Sequence, residues 1–181
     1  MGGENESAGH PSDLDRRWHL ARNAHETDVT ELEFALMRVS EAFVRWQSEC
    51  IAAASGLVMS GGENALLHVI RLHERPKPLK ELARLTNRDD IANLQYSLRK
   101  LIKFGLIEQH GARNSAVYSA TERGRQVTDR YAALRAELLI EITRTISGGD
   151  ERLSQATQML NLFTGLYEQA ARVVATHQRD C

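Results

Sequence analysis

The chain has 181 residues, of which 42% are apolar and 26% charged, with a net charge of −1. This composition suits a globular domain and excludes wholesale disorder, collagen-like repeats and Pro-rich linker material. No run approaches the roughly 18–20 apolar residues of a membrane span. The polar start MGGENESAGHPSD lacks a secretory h-region, and two cysteines cannot form a disulfide framework, so the expectation is a cytoplasmic protein without membrane contact.

Residues 1–13 read as a disordered tail, and residues 14–26 as a weakly patterned segment that could hold a short helix. From Thr27 to Ile51 a helix is predicted. Leu32, Leu36, Val39, Phe43, Trp46 and Cys50 are spaced alternately four and three apart, the seam of a helix pair. Ser60 and Glu63 form an S-x-x-E capping box, so a second helix should start near Gly61 and run to about His73. Pro76 stops it, and Pro78 suits the first turn of the next helix, Leu79 to Leu85.

TNRD then reads as a turn, with Thr86 or Asn87 as N-cap of a helix from about Asp89 to Phe104. Ile91, Leu94, Leu98, Leu101 and Ile102 should face inward, and Gly105 fits the left-handed position after the helix. Two β-type runs follow, 106–110 and 116–120, with GARNS as the hairpin loop between them. Thr121 should cap a long helix to about Ile146. SGGD breaks it, and a last helix runs from about Asp150 to His177. Its Leu153, Ala156, Leu160, Phe163, Tyr167, Ala170 and Val174 form a second seam alternating three and four. These seams exceed what one small core covers, which predicts a homodimer paired through Leu32, Leu36, Leu153, Leu160, Phe163 and Tyr167.

The near-zero net charge hides an asymmetry. Residues 75–125 carry 11 Lys/Arg against 5 Asp/Glu, a net +6, while the remainder is −7. A basic middle between acidic flanks fits a polyanion-binding module. A short helix, a tight turn and a second helix make a helix-turn-helix. At 100° per residue, the second helix turns Asn93, Tyr96, Lys100 and Lys103 outward, with Arg99 flanking. Asn can read adenine, Lys can read guanine or hold phosphate, and Tyr offers a ring or a hydroxyl.

Together L-K-E-L-A-R-L-T at 79–86, S-L-R-K-L-I-K-F-G-L-I-E at 97–108 and T-E-R-G at 121–124 resemble the MarR-type winged helix-turn-helix regulators, over roughly Val29 to His177. The resemblance implies a mainly α fold with a small β-hairpin wing and long N- and C-terminal dimerisation helices. The implied domains are a helical arm at 14–56, the winged helix-turn-helix at 57–122 and dimerisation helices at 123–181. It also implies a dimer on a palindromic double-stranded DNA site, with a small-molecule effector in a crevice where Phe43, Trp46 and Tyr131 are candidate walls. Many relatives place Arg where this chain has Tyr96, and Asp–Arg in the wing where it has Ala112-Arg113-Asn114. Arg113 carries over as the wing residue reaching the minor groove, with Asn114 beside it.

Other chemistries find few residues. His68 and His73 lie five apart, hence about 140° apart on a helix, and do not converge on a metal. No nucleophile elbow, phosphate loop or dinucleotide fingerprint appears, so neither catalytic residues nor a cofactor is expected. Cys50, on the inward seam, reads as a structural thiol. The competing readings are a winged-helix assembly module that binds no DNA, for which an acidic or apolar outer helix face would speak, and a small helical metal-binding protein.

Overall fold

The computed structural model describes residues 18–112 and 115–177, which divide into two units, one through Tyr131 and one from Ala132. The first contains helices α1 (Ala24–Ser55), α2 (Gly61–Arg71), α3 (Leu79–Leu85), α4 (Ile91–Lys103) and most of α5 (Glu122–Arg135). Its strands are β1 (Lys77–Pro78), β2 (Ile107–His110) and β3 (Val117–Ala120). The expected mainly helical fold with a β wing is therefore present.

Helix α1 starts earlier than its seam suggested, because Asn23 Oδ1 accepts the Glu26 amide at 3.0 Å and Ala24 joins the first turn. Only the C-terminal part of the seam is covered: Cys50, Ile51 and Ala54 are buried, Leu32, Leu36 and Trp46 are half-buried, and Val39 and Phe43 are exposed. Helix α2 begins at the capping box read from the sequence. Ser60 Oγ accepts the Glu63 amide at 3.2 Å, and Glu63 Oε2 accepts the Ser60 amide at 2.8 Å. Leu66, Leu67 and Ile70 then enter the core.

The helix ends at Arg71, two residues before the expected end, because His73 turns into the left-handed region at φ 62°. There Lys77 does unanticipated work. Its side chain is fully buried, and Nζ donates to the carbonyls of Ile70 (2.9 Å), Leu72 and Arg75 (3.2 Å). A cation thus meets the negative end of α2 and satisfies carbonyls that have no helical partner. Burial, reinforced by Arg75, holds the Lys77 pKa below the usual lysine value.

Lys77 and Pro78 also form β1, a two-residue strand too short to show in any periodicity. The sheet order is β1-β3-β2, all antiparallel, with Lys77 opposite Tyr118 and Ile107 opposite Ala120. Pro78 is the N-cap of α3 rather than part of its first turn.

Helix α4 ends in a Schellman motif: the Leu106 amide bonds Leu101 O at 3.1 Å and the Gly105 amide bonds Ile102 O at 2.8 Å, with Gly105 at φ 68°. Thr121 caps α5 as expected, accepting the Gly124 amide at 3.0 Å. The same hydroxyl donates to Gly105 O at 2.7 Å, and the Thr121 amide bonds Leu106 O at 3.1 Å. Arg123 donates to Phe104 O at 2.8 Å. Gly124 is required at this corner, since a Cβ would collide with the Leu106 carbonyl oxygen.

Beyond Ala132 the expected single helix to Ile146 is interrupted. A π-helical turn (Ala136–Ile140) and a short helix α6 (Glu141–Thr143) follow α5. After the break at Gly148, helix α7 spans Gly149–His177 and carries no buried residue, with Leu153, Leu160 and Tyr167 all exposed. The expected tail at 1–13 lies outside the described residues.

Candidate nucleic-acid interface

The turn between α3 and α4 is built from three local devices. Thr86 Oγ1 donates back to Leu82 O at 2.7 Å and closes α3. Asn87 takes the left-handed region at φ 51°, which Asn tolerates better than most residues. Asp90 Oδ1 accepts the Asn93 amide at 3.0 Å and opens α4. The N-cap is therefore Asp90; Thr86 and Asn87, the candidates in the sequence, shape the preceding turn.

Inside α4 the buried residues are Leu94, Ser97, Leu98 and Leu101. Ile91 and Ile102 are 41% and 37% exposed, against the inward placement expected for both. With Ile91 at 0°, the buried arc is centred near 290°, so the outward face centres near 110°. The helix is thus rolled about 40° from the pattern-based placement. Small, polar Ser97 had concealed the true inward line. Arg99 moves from the flank to the centre, beside Tyr96 and Lys103, and all three are exposed. Asn93 is exposed on one flank, with its backbone amide in the Asp90 cap.

Lys100 occupies the same flank but is engaged within the protein. Its Nζ lies 2.8 Å from Oε2 of Glu63, whose side chain is 6% exposed, and 5.7 Å from the Phe104 ring centroid. Residue spacing does not announce this pair, since the two residues lie 37 apart along the chain.

A cleft of about 460 Å³ opens between the start of α3, the side of α4 and the sheet. Lys80, Gln95, Arg99, Gln109 and Tyr118 line it. Two cations and two amides make it suited to an anionic, hydrogen-bonding surface such as a nucleic-acid backbone. Burial pushes the Tyr118 hydroxyl pKa up, while the Arg99 charge pulls it down. Gln95 and Lys80 were absent from the sequence-derived set; an inward line drawn through Ser97 would have turned Gln95 toward this side. At the wing, His110 Nε2 lies 3.0 Å from Ser119 Oγ across β2 and β3. Arg113 and Asn114 lie outside the described residues.

The aromatic trio expected at an effector crevice is not gathered on one exposed wall. Phe43 is 54% exposed and Trp46 half-buried, whereas Tyr131 is buried, its ring 4.6 Å from that of His68. Cys50 is buried too, with Sγ 4.0 Å from Tyr131 O, and burial raises its thiol pKa. Among the described residues no helix is long and apolar enough to cross a membrane.

Residues 59–124 match the family model of a winged helix DNA-binding domain. No curated protein sequence matches the chain. Solved structures do. BldR, a transcriptional regulator from Sulfolobus solfataricus, is 15% identical with a TM-score of 0.62, over 77% of this chain and 99% of that one. The oxidized form of MarR from E. coli is 18% identical with a TM-score of 0.57, over 71% and 93%. CouR from Rhodococcus jostii RHA1, bound to p-coumaroyl-CoA, is 18% identical with a TM-score of 0.56, over 71% and 88%. Residues 59–124 are accordingly a winged helix DNA-binding domain, set in a chain with the fold of the MarR-type transcription regulators.

Proposed function

We propose that the chain is a homodimeric transcription regulator that reads a palindromic DNA site and answers to a small-molecule effector. The observation that carries this reading is the exposed Tyr96–Arg99–Lys103 face on the second helix of a helix-turn-helix whose inner face is fully packed. In this reading α4 enters the major groove. Arg99 offers two donors to guanine, Tyr96 a ring for a thymine methyl, and Lys103 a cation for phosphate. Asn93 reaches an adenine edge from the flank. Arg113 and Asn114, which fall between β2 and β3 in the sequence, serve the minor groove.

One helix of this length makes few base contacts. Two copies on half-sites about 34–36 Å apart supply the rest. The incompletely covered stripes of α1 (Leu32, Leu36) and α7 (Leu153, Leu160, Phe163, Tyr167) are the surfaces through which the copies join. CouR, alike in fold, is bound to p-coumaroyl-CoA; for this chain a small molecule of undetermined chemistry is proposed, with Phe43 and Trp46 as its aromatic contacts.

The test is enrichment of duplexes from a random-sequence pool by the purified full chain. Recovery of a two-fold symmetric site, with half-sites about 10 base pairs apart and binding lost in Arg99→Ala, is expected. Equal affinity for enriched and unselected duplexes would overturn sequence reading.

A further inference from the structure

The Glu63–Lys100 pair gives one side chain of the proposed reading helix a task that its position on the outer flank does not suggest. A phosphate-binding lysine is usually solvated and unpartnered. Lys100 is instead only 30% exposed, and its ammonium sits 2.8 Å from a carboxylate that is nearly inaccessible. The accepting atom, Glu63 Oε2, is the same oxygen that takes the Ser60 amide at 2.8 Å and completes the α2 capping box. One carboxylate therefore starts α2 and ties α4 to it. The stem of Lys100 also brings the ammonium to 5.7 Å from the Phe104 ring, at the end of α4.

Resting on the DNA-binding reading above, we propose that Lys100 is a positioning residue. It sets the roll of α4 about its axis by holding Glu63, and so decides how squarely Tyr96 and Arg99 face the groove, without itself contacting phosphate. Losing the tie leaves the cores of α2 and α4 in place but frees α4 to turn. Discrimination between DNA sequences then suffers more than general attraction to DNA.

The chemistry supplies clean variants. Glu63→Gln keeps the cap, because Gln serves the capping box as Glu does, yet removes the charge. Lys100→Met keeps the stem and removes the ammonium. Each is titrated against two probes, the duplex most enriched from a random-sequence pool by the wild-type chain and a scrambled version of it, over a salt series, well below the melting temperature. Both variants should lose about tenfold on the enriched duplex, a loss typical of one charged hydrogen bond, and little on the scrambled one. The salt slope should be unchanged. The double variant should be no worse than either single, and Lys100→Arg should recover most of the loss. A purely structural role would lower the melting temperature and leave the ratio between duplexes intact, which overturns the proposal.

A phosphate contact predicts a different pattern, which also overturns it. Lys100→Met would then weaken both duplexes equally and reduce the salt slope by about one unit, and Glu63→Gln would bind more tightly by releasing a cation. Failure of the wild-type chain to prefer any duplex would be distinct from either pattern, and would sink the DNA-binding reading together with this inference.

Discussion

Lys77 shows how a single side chain can close the end of a helix from within the core. Its ammonium replaces the water that would otherwise solvate the carbonyls of Ile70, Leu72 and Arg75. Lys77→Met should therefore leave polar groups buried without partners and cost about 2–4 kcal/mol, read as a lower urea midpoint at unchanged m-value. Nearby, Arg75 donates to both carboxylate oxygens of Glu81 and holds that carboxyl below its ordinary pKa of 4.5. The folded chain then binds a proton less readily than the unfolded one. The contribution of this pair is complete above the unfolded carboxyl value and fades as pH falls through the lower, folded value. Glu81→Gln should therefore lower stability at neutral pH, where the contribution is complete, and converge with the wild type at low pH, flattening that part of the acid stability profile. Cys50 offers a third check at this scale. Burial raises its thiol pKa, so in a Cys181→Ser variant a disulfide reagent should react only as fast as the protein opens. Rapid labelling of the native protein would contradict its packing.

Between elements, the corner from α4 to α5 concentrates constraints on few residues. Gly124→Ala would drive a methyl into the Leu106 carbonyl, and the melting temperature should fall with loss of the native fold around the wing. Much of this level could be read from residue order alone. The Ser60–Glu63 box, Gly105 and Thr121 announced three boundaries because each works through neighbours within four residues along the chain. What escaped depended on distant partners. β1 exists only because Lys77 and Pro78 meet Tyr118 and Val117. The roll of α4 depended on Ser97, a polar residue that the core accepts because its hydroxyl donates to Asn93 O at 3.1 Å. The π-helical turn at Ala136–Ile140 has no glycine or proline to mark it. Of the proposed interface, Tyr96, Arg99 and Lys103 were legible from spacing, whereas Gln95 and the tie on Lys100 were not.

For the whole molecule, the decisive quantity is the apolar surface left uncovered. Helix α7 is 29 residues long and exposes Leu160, Leu166 and Val173, a surface rarely left to water in a soluble monomer. A mass near twice 20.3 kDa is expected by light scattering at micromolar concentration, and Leu160→Glu with Tyr167→Lys should halve it or unfold the chain. A wild-type monomer would leave the stripe unexplained and the dimer reading untenable.

The three consecutive carbonyls of Phe104, Gly105 and Leu106, all held by Thr121 and Arg123, make the exit of one helix and the first turn of the next behave like a crank welded to its shaft. A rotation of α5 that kept these hydrogen bonds would carry α4 with it. The middle of α4 is about 10 Å from the weld, so a rotation of about 10° carries it nearly 2 Å. In the proposed dimer, the separation between the two copies of α4 would then follow the tilt of α5, and the turn of the helix-turn-helix could stay rigid while the spacing changed.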